Sequence, residues 1–470
     1  MNPLTLSDAE CKAVFERITR LALEYVSALG ERPIFPDTSG SKTQALFSRT
    51  LPEQGIGIGA LDDLGAVIDN ARAGGPGFFG YVLGSGEPVA AAADLLASVL
   101  NQNVTAWRSG PSAVTIERTV VGWLAEAIGC DGFTGSLTGG GSSANLMALA
   151  MAREMRVPAN ESGARPGTVY ASEQVHMSIP KAVALLGIGR DNLRLIPCDD
   201  GFRIRPDLLG QAIEQDARAG MTPIAIVGSA GTVATGSIDN LVELAEIAGR
   251  CGAWFHVDGA YGALAAIAEP EMFVGMKRAD SVSLDPHKWL YQPLDCGCLL
   301  YRNADAARVA FSHTGDYAKS LIDDPVEGFA FFEESIELSR RFRALKLWLS
   351  LRYHGLANFR EAIRNDLAMA KHLEERIAGE PKLELLTPVR LSAVCFRFVP
   401  QRGEDSDAVN RRILQHVNRR GRVYLSNAQI LGKFALRACV VNHRTTAQDV
   451  EAVVSEVLEA GRELTDGPPS

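Results

Sequence analysis

The chain of 470 residues has no uninterrupted apolar run of bilayer-spanning length, and an uncharged stretch such as Ala219 to Ile238 is broken by Gly, Ser, Thr and Pro around a short apolar centre, Ile224 to Val227. It also lacks an excess of positive charge. With 47 Lys and Arg against 56 Asp and Glu, its net charge is −9, so no global positive field draws it to nucleic acid or to an anionic membrane. The 8 cysteines are scattered, and Cys296 and Cys298 form a close pair with no second pair to complete a zinc site, so buried reduced thiols and no metal are expected. A basic, apolar leader is missing from the N-terminal stretch, which carries Asp8 and Glu10 instead; a cytoplasmic location is the expectation. The glycine run of LTGGGSSANLMAL does not have the GxGxxG spacing and no lysine follows its glycines, which weakens the dinucleotide and P-loop readings of that run. What is there, 46% hydrophobic and 22% charged residues with 45 Gly and 22 Pro, is the composition of a globular protein, not of a disordered or collagen-like one.

Val14, Ile18, Leu21 and Tyr25 recur at helical spacing and predict a first amphipathic helix that needs a surface to lie on. Residues 30–85, rich in Gly, Pro and Ser and including GGPGFFGYVLGSG, read as an extended arm. Helices are expected at 88–100, 112–128 and 143–156, then the short apolar runs TVYAS, LRLIP, IAIVG, WFHVD, SVSLD and CLLYR, with helices at 205–217 and 240–250 among them. That alternation predicts an α/β fold with a mostly parallel sheet covered on both faces. Beyond the helical segment RRFRALKLWLSLRYHG, strands SAVCFRFV and KFALRACVV and helices near 406–419 and 447–463 predict a small α+β domain. The expected division is an arm at 1–85, a large domain at 86–355 and a small domain at 356–470.

In open α/β sheets ligands gather at the carboxyl ends of the strands. His176 follows TVYAS, Asp258 ends WFHVD, and Asp285, Pro286, His287 and Lys288 follow SVSL. The run LTGGGSSANLMAL sets glycines before a helix whose first turn carries Ser142, Ser143 and Asn145, a cradle for phosphate built from freed amides, hydroxyls and the positive helix end. Each feature has a plain structural reading: a Ser-capped helix start, a lysine at the sheet rim, a capping Asp258, a hydrogen-bonded His176. Together they are what pyridoxal phosphate (PLP) requires: an amine to hold the aldehyde, a carboxylate to keep the pyridine nitrogen protonated, and an imidazole for the ring face.

From about Pro76 to Arg444 the sequence resembles the group II PLP-dependent amino acid decarboxylases of fold type I, the group of the aromatic L-amino acid, histidine and glutamate decarboxylases. HVDGAYG, DPHKWL, GGGSSANLMAL, RRFRALKLW and NHRTT carry the resemblance. It implies Lys288 as the Schiff-base lysine, Asp258 as partner of the ring nitrogen and His176 stacked on the ring. Gly141, Ser142 and His287 would contact the phosphate, with Thr232 near the cofactor and Ala260 beneath it. It further implies a homodimer wrapped by the N-terminal arm, and a substrate pocket of Phe79 and Tyr81 with Asn103 and Thr105 from the other subunit. The implied reaction is decarboxylation of an L-amino acid, aromatic by preference (tryptophan, tyrosine or DOPA), to the amine and carbon dioxide.

Two departures stand out. Animal aromatic decarboxylases have Asn where this chain has Asp285, and a carboxylate beside a phosphate repels it unless bonded elsewhere, so the role of Asp285 stays open. Those enzymes also carry a proton-donating tyrosine in a loop ahead of RRFR; counting back from Arg340 reaches Phe331, with Tyr317 well upstream. A Phe there opens the alternative of an aldehyde synthase, with a PLP-dependent carbon-carbon lyase or a non-enzymatic cofactor-binding protein as more remote readings. The basic clusters RRFRALK, near Glu333, Glu334 and Glu337, and Arg411, Arg412, Arg419 and Arg420 are expected on solvated, charge-paired helix faces.

Overall fold

The computed structural model describes residue 2 and residues 4–313, 324–401 and 403–465. Its larger sheet is built from β1 (Thr134–Thr138), β2 (Gly167–Ser172), β3 (Leu193–Ile196), β4 (Thr222–Ser229), β5 (Trp254–Asp258), β6 (Ser281–Leu284) and β7 (Gly297–Tyr301). The order is β1-β7-β6-β5-β4-β2-β3. β7 runs against both its neighbours, and the other pairs are parallel. β2, β5, β6 and β7 are buried along their whole length, which is why they read as continuous apolar runs. β1, sequence TGSLT, has no such run and escapes a pattern reading. Glycine admits it to the sheet: a Cβ on Gly135 would sit 2.0 Å from the Leu299 carbonyl oxygen.

The expected helices form at Pro88–Leu100, Pro111–Ala127, Gly141–Arg156, Pro206–Arg218 and Leu241–Cys251. Local chemistry bounds them. Asn240 accepts the Glu243 amide to start the last of these, and Gly252, at φ 69°, ends it.

The smaller sheet is antiparallel, in the order β10-β11-β9-β8, with β8 at Leu383–Leu385, β9 at Ala393–Phe398, β10 at Ser426–Ile430 and β11 at Lys433–Cys439. Helices Ser406–Arg420 and Ala447–Thr465 complete this α+β unit. Helix Ala344–Ala378 leads into it and bends at Gly355, φ 77°.

The first helix, Asp8–Ala28, starts in a capping box in which Ser7 and Glu10 bond each other's amides. Val14, Ile18, Leu21 and Tyr25 are half-buried, while Phe15, Leu23 and Val26 remain 44%, 64% and 40% exposed. The following segment departs from the expected extended arm. It folds helices Gly40–Phe47 and Leu64–Asp69, and its end docks on the small domain: Phe79 is fully buried in that core, its amide bonds Tyr424 and its carbonyl accepts the Cys439 amide.

Candidate active site

The strand ends of β2, β4, β5 and β6 open onto a cavity of about 300 Å³. One wall is the start of helix Gly141–Arg156. Gly140 precedes it at φ +133° and offers no side chain to cap it, leaving first-turn amides directed at the cavity beside Ser142 and Ser143. Glycine is required at the contact, since a Cβ on Gly141 would come within 2.7 Å of Ala260 Cβ and 3.2 Å of Asp285 Oδ2. An uncapped helix start with small walls takes an anion of phosphate size.

Asp258, at the end of β5, is buried, and its carboxylate is oriented by three donors. Asn145 Nδ2 lies 2.9 Å from Oδ2, while the Ala260 amide and Ser283 Oγ reach Oδ1 at 3.2 and 3.3 Å. His176 lines the cavity after β2. Its Nδ1 receives the Ser178 amide at 3.2 Å, and a backbone N–H only donates, so the ring proton sits on Nε2. Burial holds this imidazole below its usual range, opposed by the nearby Asp258 carboxylate.

Lys288 Nζ is 2.9 Å from Asp285 Oδ2, and His287 Nε2 is 3.5 Å from the same oxygen. Asp285 is thus bonded to Lys288 while its carboxylate still stands beside the helix start at Gly141. Its Oδ1 is buried without a partner among the described residues. His287 Nδ1 accepts the Cys296 amide, and burial lowers its basicity. Thr232 and Ala260 complete the lining, Thr232 bonding Thr235 Oγ1 at 2.8 Å. Lys288, Asp258, His176, Gly141, Ser142, His287, Thr232 and Ala260 thus share one cavity. Its donor set fits PLP: amides for the phosphate, an amine for the aldehyde, a carboxylate for the pyridine nitrogen.

The residues expected around the substrate divide differently. Phe79 and Phe331 are fully buried in hydrophobic cores, so neither presents a surface to substrate in its own subunit or a partner's. Phe331 lies under the Arg340 guanidinium, 4.2 Å from its ring centroid, with Phe329 edge-on at 4.9 Å; it sits in a short turn of the irregular segment ahead of helix Ala344–Ala378, buried in the core. Tyr317 lies outside the described residues. Tyr81 is 55% exposed at φ 59°, a left-handed conformation held by Ser426 Oγ on its amide and Arg437 on its carbonyl. Asn103 and Thr105 are accessible but do not line the cavity within one chain.

The RRFRALK cluster is charge-paired, but of its basic residues only Arg341, which pairs with Asp295, is solvated. Arg340 is buried against Glu117, the Val104 and Leu137 carbonyls and Phe331; Arg343 pairs with Glu337 and Asp295; Lys346, fully buried, bonds Asp94 and the Pro293 carbonyl. Arg411, Arg412 and Arg419 are exposed as expected, whereas Arg420 is half-buried among Glu456, Glu459 and Glu463. Pattern reading placed Asn145 only at a helix start; its bond to Asp258 has no local signal.

The pyridoxal-dependent decarboxylase conserved domain matches residues 67–399. The chain is 33% identical over 476 residues to an aromatic-L-amino-acid decarboxylase of Bacillus atrophaeus, across 99% of this chain and 98% of that protein. To a 4-hydroxyphenylacetaldehyde synthase of Rhodiola rosea it is 31% identical over 473 residues, 95% of this chain and 93% of that one. The crystal structure of Oryza sativa TDC with PLP and tryptamine superposes with a TM-score of 0.92 at 27% identity, covering 99% of this chain and 100% of that chain. With the cavity's amine, carboxylate and phosphate-sized helix start, these matches establish that the chain belongs to the family of pyridoxal-dependent decarboxylases.

Proposed function

We propose that the protein decarboxylates an aromatic L-amino acid to the corresponding amine and carbon dioxide. The observation that carries this reading is the convergence of Lys288, Asp258, His176 and an uncapped helix start on one cavity. Bound PLP supplies an electron sink for the bond to the departing carboxylate. The chain's own residues do the rest. Lys288 would hold the aldehyde carbon, Asp258 would keep a proton on the ring nitrogen, and Gly141, Ser142 and His287 would hold the phosphate. His176, with its Nε2–H, Thr232 and Ala260 would line the space for the ring. The aromatic preference is supported by the Bacillus relative and by tryptamine in the Oryza structure.

The same reading makes the active form a cytoplasmic homodimer. Exposed Phe15, Leu23 and Val26 of the first helix, and Leu96 and Val99 of helix Pro88–Leu100, supply apolar surface for a second copy. Tyr81 would then face substrate together with Asn103 and Thr105 of the partner subunit, the cofactor being held within the large domain at 86–355, whose residues line the cavity. An aldehyde-forming reaction uses the same cofactor residues and stands as the second reading, supported by the Rhodiola relative; Phe331, being buried, is not the residue that would mark it.

The test is a panel of amino acids incubated with PLP-loaded protein, assayed for amine, carbon dioxide, aldehyde, ammonia and peroxide. One amine per carbon dioxide from an aromatic amino acid is expected. Aldehyde with matching peroxide, or turnover confined to non-aromatic substrates, overturns the proposal.

A further inference from the structure

A buried chain of hydrogen bonds behind the cavity has its direction set from the Asp258 end. The Asp258 carboxylate only accepts, so the Asn145 Nδ2 group faces it, giving one proton to Oδ2 and one to Ser178 Oγ, each at 2.9 Å. Asn145 Oδ1 is then left to accept from His256 Nε2, 2.9 Å away, which places the proton of the neutral ring on Nε2 and leaves Nδ1 to accept the Ser281 hydroxyl at 2.9 Å. Trp254 Nε1 donates to the same Ser281 oxygen at 2.8 Å, using one of its two lone pairs. Ser178, having accepted from Asn145, directs its own proton to His176 Nδ1 at 2.8 Å. Asn145, His256, Ser178 and Ser281 are all buried, and burial holds His256 at about 4, a neutral ring with one proton to place.

We propose that Asn145 is a positioning residue that links the Asp258 carboxylate to the His176 imidazole, with the Nε2–H of His256 selecting which face of the amide each receives. A flipped amide would set its oxygen against the carboxylate and leave Ser178 without a donor, so the arrangement depends on a donor at the His256 position and not merely on a group that fills the space. The inference rests on the reading of this cavity as the PLP site.

Variants Asn145→Leu, Ser178→Ala, His256→Leu and His256→Gln are purified as apoproteins, checked by thermal melting, and titrated with PLP by absorbance and visible circular dichroism. Gln retains an N–H near the Nε2 position, whereas Leu fills space without a donor. Asn145→Leu and His256→Leu are expected to raise the PLP dissociation constant at least tenfold and to alter the cofactor's dichroism, with His256→Gln within about threefold of the parent. Ser178→Ala, which spares the Asp258 arm, should bind PLP like the parent and lose turnover. Parent-like binding by Asn145→Leu, or equal loss in His256→Gln and His256→Leu, overturns the inference while leaving the site reading intact. A parent protein that fails to bind PLP overturns both. Should Asn145→Leu or His256→Leu not fold, the Gln variant and Ser178→Ala decide it: PLP affinity lost in either refutes the assignment, and affinity kept in both with turnover lost in Ser178→Ala supports it.

Discussion

Asp285 Oδ2 lies 2.9 Å from Lys288 Nζ, one helical turn along from it, and leaves Oδ1 buried and without a partner among the described residues. The amine is thus held at the cavity by a carboxylate that also stands near the helix start Gly141, where phosphate is expected.

Asp285→Asn keeps an acceptor for Lys288 and removes a negative charge from beside the phosphate. PLP should bind roughly fivefold to tenfold more tightly, about 1 kcal/mol for a partly screened like-charge pair. Absorbance titration of the apoprotein checks this, and weaker binding would show that Asp285 supports the cofactor.

Lys288→Ala should give a colourless protein with no borohydride-reducible cofactor link and no turnover. Asp258→Asn should keep the link and lose at least about 100-fold in turnover, about 3 kcal/mol, because a neutral amide does not hold the ring nitrogen protonated. A reducible link at another lysine would contradict the first expectation, and unchanged turnover the second.

Arg340→Met strands Glu117, whose second oxygen already lacks a partner, in the core. A loss of about 3 to 5 kcal/mol is expected in chemical denaturation. The double variant Arg340→Met, Glu117→Gln should recover much of it, since both charges are then absent; a surface pair would show no measurable loss.

Burial raises the Asp366 carboxyl to about 7, and the Tyr291 hydroxyl donates to it at 2.9 Å. An unfolded carboxylate titrates near 4, so between roughly pH 4 and 7 the folded state binds the extra proton. Stability therefore falls as pH rises through that window and stays lowered above it. Asp366→Asn keeps the acceptor without the charge; it should raise stability at about pH 8 by up to about 4 kcal/mol, read as a higher Tm, and change little near pH 4. A variant equally stabilised at both pH values would place the effect elsewhere.

Removal of residues 1–28 takes away the first helix but leaves Leu29 and the docked Phe79 in place. The shortened chain should be monomeric or aggregated and inactive by light scattering and assay, because the surface the helix covers in a partner would be bare. A soluble, active monomer would refute the homodimer.

Local pattern was enough to locate the chemistry: aliphatic runs end at His176, Asp258 and Asp285 to Lys288, glycines precede the helix at Gly141, and strand ends in such a sheet converge whatever the loops do. Elements whose stability comes from neighbours were not legible. β1 is admitted by a close glycine contact with β7, and β10, sequence SNAQI, is buried on one face only and carries no aliphatic run. Charge pattern likewise told that RRFRALK would be paired but not that most of it would be buried, since Arg340 meets Glu117 from 223 positions away in the chain. Phe79 and Phe331 read as pocket residues by motif and lie in cores because their packing partners come from other parts of the chain. Asn145 and Asp258 stand 113 residues apart and meet only when β5 is laid beside helix Gly141–Arg156. Periodicity and turn chemistry are properties of neighbouring residues and are written in the sequence; which buried donor faces which acceptor is a property of the packed chain, and only the tertiary structure decides it.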